Sequence, residues 1–200
     1  MKKLLYIYLF NFLLYSCSLS TSECDKYFSE AEQNYIAYFA DYDESLLKKS
    51  LKQINNSLQC NNEIEEKVKT KFTLLLFLKE FEKAKKVASE YKQVSFINGL
   101  DGETYVSLIE CYDKGNEECV EKNVKFLLQE LEKNIKKKDE KYYMIYYDLK
   151  YYIESKTTII ELIEQNSNLT TDQIQLLIDY IEYNDNPIGA YATEGPFSKR

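Results

Sequence analysis

Residues 72–91 read FTLLLFLKEFEKAKKVASEY, and this stretch decides the fold. The apolar run Leu74–Leu78 is too short to cross a bilayer and fits a buried helix. A turn is expected around Lys79–Glu80. Phe81, Ala84, Ala88 and Tyr91 then fall at i, i+3, i+7 and i+10, one stripe of a second helix. Ala84 and Ala88 are small, so another helix can approach closely there. A single hairpin cannot bury both of its faces, so it needs helical neighbours.

Similar hairpins flank it. Before it, Phe28, Ala31, Tyr35, Tyr38 and Phe39 stripe one helix, and Leu47, Leu51, Ile54 and Leu58 stripe the next. Between them, Asp43 and Ser45 are candidate N-caps. Asp41-x-Asp43-x-Ser45 has the opening spacing of a calcium loop. Leu46 and Lys52 stand where that loop needs its turn glycine and bidentate Glu, so caps are the better reading. Glu63, Glu65 and Glu66 suit the start of a helix, where the dipole favours carboxylates. After residues 93–102, with Gly99 and Gly102 as breakers, Tyr105, Leu108, Ile109 and Tyr112 form one stripe. Val120, Val124, Leu127, Leu128 and Leu131 form the next, beyond a turn at Gly115 with Asn116 as its N-cap.

Helical hairpins whose equivalent residues, Leu47, Ala84 and Val120, recur at a period in the mid-thirties resemble tetratricopeptide repeats. Phe81, Ala84, Ala88 and Gly115 carry the likeness, over residues 28–134. The resemblance implies an all-α fold of antiparallel hairpins stacked as a short solenoid, with a surface that binds peptides or protein segments. An irregular helical bundle is the alternative.

Further on, residues 136–138 are a lysine run, read as a solvated helix end. Residues 142–153, YYMIYYDLKYYI, carry two apolar faces. One is Tyr142, Ile145, Tyr146, Leu149 and Ile153. The other is Tyr143, Tyr147 and Tyr151, either packed between neighbours or offered to a partner. Thr170-x-x-Gln173 is a capping box opening a last helix striped by Ile174, Leu177, Ile178 and Ile181. Residues 184–200 hold both prolines and show no periodicity.

The N-terminus reads Met1–Lys2–Lys3, then an apolar run to Tyr15, then Leu14-Tyr15-Ser16-Cys17. This is the layout of a signal peptide. Its end resembles the lipobox of bacterial lipoproteins. The resemblance implies cleavage before Cys17, a diacylglyceryl thioether on Cys17 and acylation of the new N-terminus. The membrane would then be a partner through the lipid anchor. Ser18, not Asp, at the next position points to the outer membrane, facing the periplasm. The expected organisation is a lipoprotein signal peptide over 1–16, the lipidated Cys and a tether over 17–23, a helical repeat-like domain over 24–183, and an irregular tail over 184–200.

Four cysteines then remain: Cys24, Cys60, Cys111 and Cys119. They allow three connectivities. Spacing favours Cys24–Cys60, at one end of the first hairpin, and Cys111–Cys119, across the Gly115 turn. A four-thiolate zinc site is the alternative, but no C-x-x-C spacing supports it.

The chain has no His, which removes the commonest general base and excludes Ser–His and Cys–His pairs. Removing the two lysines of residues 1–17 takes the net charge from −7 to −9, which disfavours a nucleic-acid partner. No cofactor or metal is expected. The expected function is a non-catalytic, membrane-anchored envelope lipoprotein whose helical surface binds another protein or peptide. The alternative is a periplasmic immunity lipoprotein that neutralises a secreted toxin. An enzyme with paired carboxylates, such as a cell-wall glycosidase, is a third reading; every acid that can be placed reads as a cap, dipole or surface residue.

Overall fold

The computed structural model describes residues 20–60, 63–96, 100–134 and 140–183. Among these the chain forms nine α-helices and no strand: α1 Thr21–Asp41, α2 Glu44–Ser57, α3 Ile64–Phe77, α4 Phe81–Glu90, α5 Gly102–Asp113, α6 Glu117–Asn134, α7 Glu140–Tyr151, α8 Lys156–Glu164 and α9 Thr171–Tyr183. The fold is all-α. Two compact bodies divide within α3, between Lys71 and Phe72. The signal peptide, Cys17, the lysine run at 136–138 and the tail from 184 lie outside the described residues.

In the first body α1 and α2 pack side by side along their length. A capping box starts α1. The Ser20 hydroxyl accepts from the Glu23 N–H, and the Glu23 carboxylate accepts from the Ser20 N–H at 2.8 Å. These bonds, the backbone one first, hold the Glu23 carboxyl below the usual carboxylate range. The tether expected over 17–23 is therefore corrected: helix begins at Thr21, because S-x-x-E satisfies the first free N–H groups of α1. Tyr42, left-handed at φ 52°, closes α1, and Asp43 caps α2 by accepting from the Ser45 N–H at 2.8 Å. The carboxylates read as a failed calcium loop are thus a cap and a turn.

The α2 stripe is rotated from the one expected. Leu47 and Ile54 are fully buried, but their companions are Ser50 and Ser57, while Leu51 and Leu58 are half-buried. Both serine hydroxyls donate to backbone carbonyls, Ser50 to Ala31 of α1 at 2.7 Å and Ser57 to Ile54 at 2.9 Å. A hydroxyl with such a partner is buried at little cost and is small enough to let two helices touch. Lys67 of α3 is buried too, its ammonium 5.9 Å from the centroid of the Phe28 ring.

In the second body, Leu74, Leu75, Leu76 and Phe77 at the end of α3 are all buried. The turn falls where the sequence places it. Lys79 is left-handed at φ 56°, and the N–H groups of Lys79 and Glu80 donate back to Leu76 and Leu75. On α4, Phe81, Ala84 and Ala88 are buried with Val87, and Tyr91 is half-buried. This face meets α5. A Cβ placed on Gly102 would lie 3.0 Å from that of Ala88 and 3.2 Å from the Phe96 ring, so the two backbones approach closely there. Gly102, expected as a loop breaker, is instead the first residue of α5, capped by Asp101. The connection before it is also packed: Val94, Phe96 and Leu100 are buried, and Phe96 lies 4.5 Å from Phe72 between ring centroids.

Two half-buried ion pairs join this layer, Lys79–Asp113 and Lys85–Glu110, each at 2.6 Å. Lys114 also pairs with Glu110. Lys114 first, then Lys85, holds the Glu110 carboxyl below its ordinary range against the opposing effect of burial. From α4 onward, α4 packs on α5, α5 on α6, α6 on α7, α7 on α8, and α9 on both α8 and α7. The Thr170–Gln173 capping box opens α9, and Leu177 and Ile181 bury its inner face.

Candidate functional site

The Cys111–Cys119 pair lies at the α5–α6 turn, with a Cα–Cα separation of 5.8 Å. Cys24 and Cys60 are likewise at disulfide distance, with Cα atoms 6.2 Å apart at one end of the α1–α2 hairpin. Within the α5–α6 turn, Gly115 takes φ 66°, a left-handed geometry that glycine adopts without steric cost. The Asn116 side chain caps α6 through the Cys119 N–H at 3.1 Å. Asn123, one turn on, places its amide nitrogen 3.4 Å from the Cys119 sulfur.

This braced turn forms one wall of a cleft of about 630 Å³. Tyr112 comes from the end of α5. Glu117, Val120 and Glu121 come from the first turns of α6. Tyr152, Ile153 and Glu154 come from the segment just after α7. Tyr112 belongs to the stripe expected to face the core, yet it is 37% exposed, and its ring meets that of Tyr152 edge-on at 5.3 Å. Burial pushes both phenols upward, so the rings stay neutral. Among the described residues, three carboxylates line the cleft and no cation does. Glu121 pairs with Lys125, and Glu154 lies 3.9 Å from Lys150; Glu117 has no hydrogen bond or ion pair among the described residues.

Neutral aromatic faces beside carboxylates are suited to an alkylammonium or guanidinium group. The ring quadrupole attracts the cation, and the carboxylate accepts its hydrogen bonds. Tyr112 and Glu117 offer both within one open space.

The tyrosines singled out in the sequence lie elsewhere. Tyr143 is 5% exposed and Tyr147 2%, with Tyr151 half-buried. The partner surface Tyr143–Tyr147–Tyr151 is therefore corrected to a packing surface, since α7 is covered by α6, α8 and α9. The hydroxyl of Tyr142 donates to Glu132 at 2.7 Å, and that of Tyr147 accepts from the Asn166 amide at 3.0 Å. Tyr142, Tyr146 and Tyr147 also line a smaller open cavity of about 360 Å³.

Asp148, on the same helix, is half-buried as a residue, with one carboxylate oxygen fully enclosed. Its Oδ2 accepts from the Tyr180 hydroxyl of α9 at 2.8 Å, while its Oδ1 is buried without a hydrogen bond. Burial pushes its carboxyl up to about 7, against the smaller lowering effect of Tyr180.

Among the described residues, no group of three or more Cys, Asp or Glu side chains is placed to hold a metal, and no helix is long and apolar enough to cross a membrane. No protein-family model, curated protein or solved structure matches the chain.

Proposed function

We propose that this chain is a lipid-anchored binding module of a bacterial envelope, and that the Tyr112–Tyr152 cleft holds a lysine- or arginine-bearing segment of a partner protein. The observation that carries the reading is the make-up of the cleft: two neutral tyrosine rings in contact, an exposed Glu117 that is unpaired among the described residues, and no cation among the described residues of the wall. Two further features agree with it. Leu14-Tyr15-Ser16-Cys17 resembles a lipobox, and the four other cysteines stand in pairs, as in exported proteins. The repeat-like hairpins would present the cleft, and the turn bracing would hold its rings in place before binding, which lowers the ordering cost of association.

Titrating short lysine- and arginine-rich peptides into the isotope-labelled chain tests this. The signals of Tyr112, Glu117 and Tyr152 are expected to shift, and affinity to fall about tenfold in Tyr112→Ala, while acidic peptides of equal length leave them unmoved. Equal shifts with acidic peptides, or shifts confined to other helices, would discard the cleft as the site.

A further inference from the structure

We propose that Asp148 and Tyr180 form a proton-controlled latch that holds the last helix, α9, against α7. The proposal stands apart from the cleft and does not depend on it.

The geometry is a carboxylate with one oxygen bonded and the other enclosed without a bond among the described residues. Tyr180 reaches across from the last turn of α9 to Oδ2, and this bond ties α9 to α7. Oδ1 is enclosed and has no hydrogen-bond partner among the described residues. A charged carboxylate accepts through both oxygens, so the enclosed Oδ1 leaves the ionised form short of what water would give it. The neutral acid loses less on burial.

Just past the end of α7, four residues after Asp148, sits Tyr152. Its hydroxyl is enclosed and likewise lacks a bond of good geometry, and it feels the charge of Asp148. Beyond it stand Tyr105 and Tyr112 of α5, all phenols and none of them basic. From α6, Glu132 faces Tyr142 and Tyr146, and at the head of α8 the Lys156 ammonium donates to the Glu182 carbonyl. Among the described groups on α5, α6, α8 and α9, the Tyr180 hydroxyl is the one that favours the ionised form.

The consequence has a fixed sign. The carboxyl titrates higher when buried than when α9 opens and water reaches it. Closed α9 therefore binds a proton that open α9 releases. Opening is rarest in acid and grows as pH rises from about 4, the ordinary range of an Asp, to about 7, then levels off. Two residues beyond Tyr180, the Glu182 carbonyl accepts from the Lys156 ammonium of α8, a second tie on the same end of α9.

Hydrogen exchange of α9 amides in the whole chain, corrected for intrinsic rates, is the test. In the wild type the α9 opening constant is expected to rise up to tenfold per pH unit between pH 5 and 7. In Asp148→Asn the rise should vanish. In Tyr180→Phe it should persist and extend to higher pH, since a group that favoured the charged form is gone. Wild-type protection that does not change with pH, or an equal slope in Asp148→Asn, would overturn the latch. Should Asp148→Asn fail to fold, the carbon signal of the Asp148 carboxyl in the wild type decides. A midpoint near 7 supports the proposal, and a midpoint near 4 overturns it.

Discussion

Helices α2 and α7 both bury polar side chains, and they do so in opposite ways. On α2 every buried hydroxyl has a carbonyl to donate to, Ser50 in the neighbouring helix and Ser57 in its own. On α7 a carboxylate has one partner for two oxygens. A satisfied neutral group contributes stability that does not vary with pH. An ionisable group with an enclosed, unpaired oxygen contributes stability that depends on whether the proton is present. The first body thus uses polarity to bring helices close, while the second uses it where a helix can be let go.

The largest effect expected from this contrast is pH dependence. For Asp148 the folded carboxyl lies above the unfolded one, so its contribution is fully present below about pH 4 and lost as pH rises to about 7. The span corresponds to at most about 4 kcal/mol, at roughly 1.4 kcal/mol per unit. Denaturant midpoints of the wild type and Asp148→Asn, compared at pH 5 and pH 8, should converge differently. The wild type loses ground toward pH 8 and the variant does not. The paired carboxylates Glu23, Asp43, Glu110 and Glu121, all held below their ordinary range, act with the opposite sign and only in more acid solution. They therefore do not imitate the effect.

The smaller effects come from α2. Ser50→Val should cost about 1–3 kcal/mol, because the added methyl groups meet Ala31 at a close helix contact. Ser50→Ala, which removes only the bond to Ala31, should cost about 1 kcal/mol and be the same at pH 5 and pH 8. A pH-dependent cost at Ser50 would break the contrast between the two helices.

How much of this was legible in the sequence follows from what each feature depends on. The turn at Lys79–Glu80, the caps Asp43 and Asn116, and the Thr170–Gln173 box are local, and residues three or four apart carry them. The apolar stripe of α4 was legible for the same reason. Ser20 was read as tether although Ser20-x-x-Glu23 is itself a capping box. The capping signal was there, and the nearby lipobox drew the boundary too late.

The residues that sequence leaves unmarked are of another kind. Ser50 looks like a surface residue until Ala31, nineteen positions away, supplies its carbonyl. Asp148 looks like a break in a tyrosine face until Tyr180 arrives from thirty-two positions on. Lys67 looks solvated until Phe28 lies under it. In each case the residue type points outward and a distant partner decides. The tyrosines of α7 allow two readings from sequence, packed or offered to a partner, and the burial of Tyr143 and Tyr147 agrees with the packed one. The cleft itself was half legible. Tyr112 and Gly115 were noted, but its far wall, Tyr152 to Glu154, is brought there only by the packing of α7 on α6.

The most direct test of the binding reading is site-specific photo-crosslinking in intact cells. A photoreactive side chain is placed at Tyr112 in the cleft or at Phe126, which is 47% exposed on α6 and lies outside it. The account predicts a discrete protein adduct from position 112 in the membrane fraction, attached through a lysine- or arginine-bearing segment, and none from position 126. The same adducts from both positions, or an attached segment without basic residues, would contradict it.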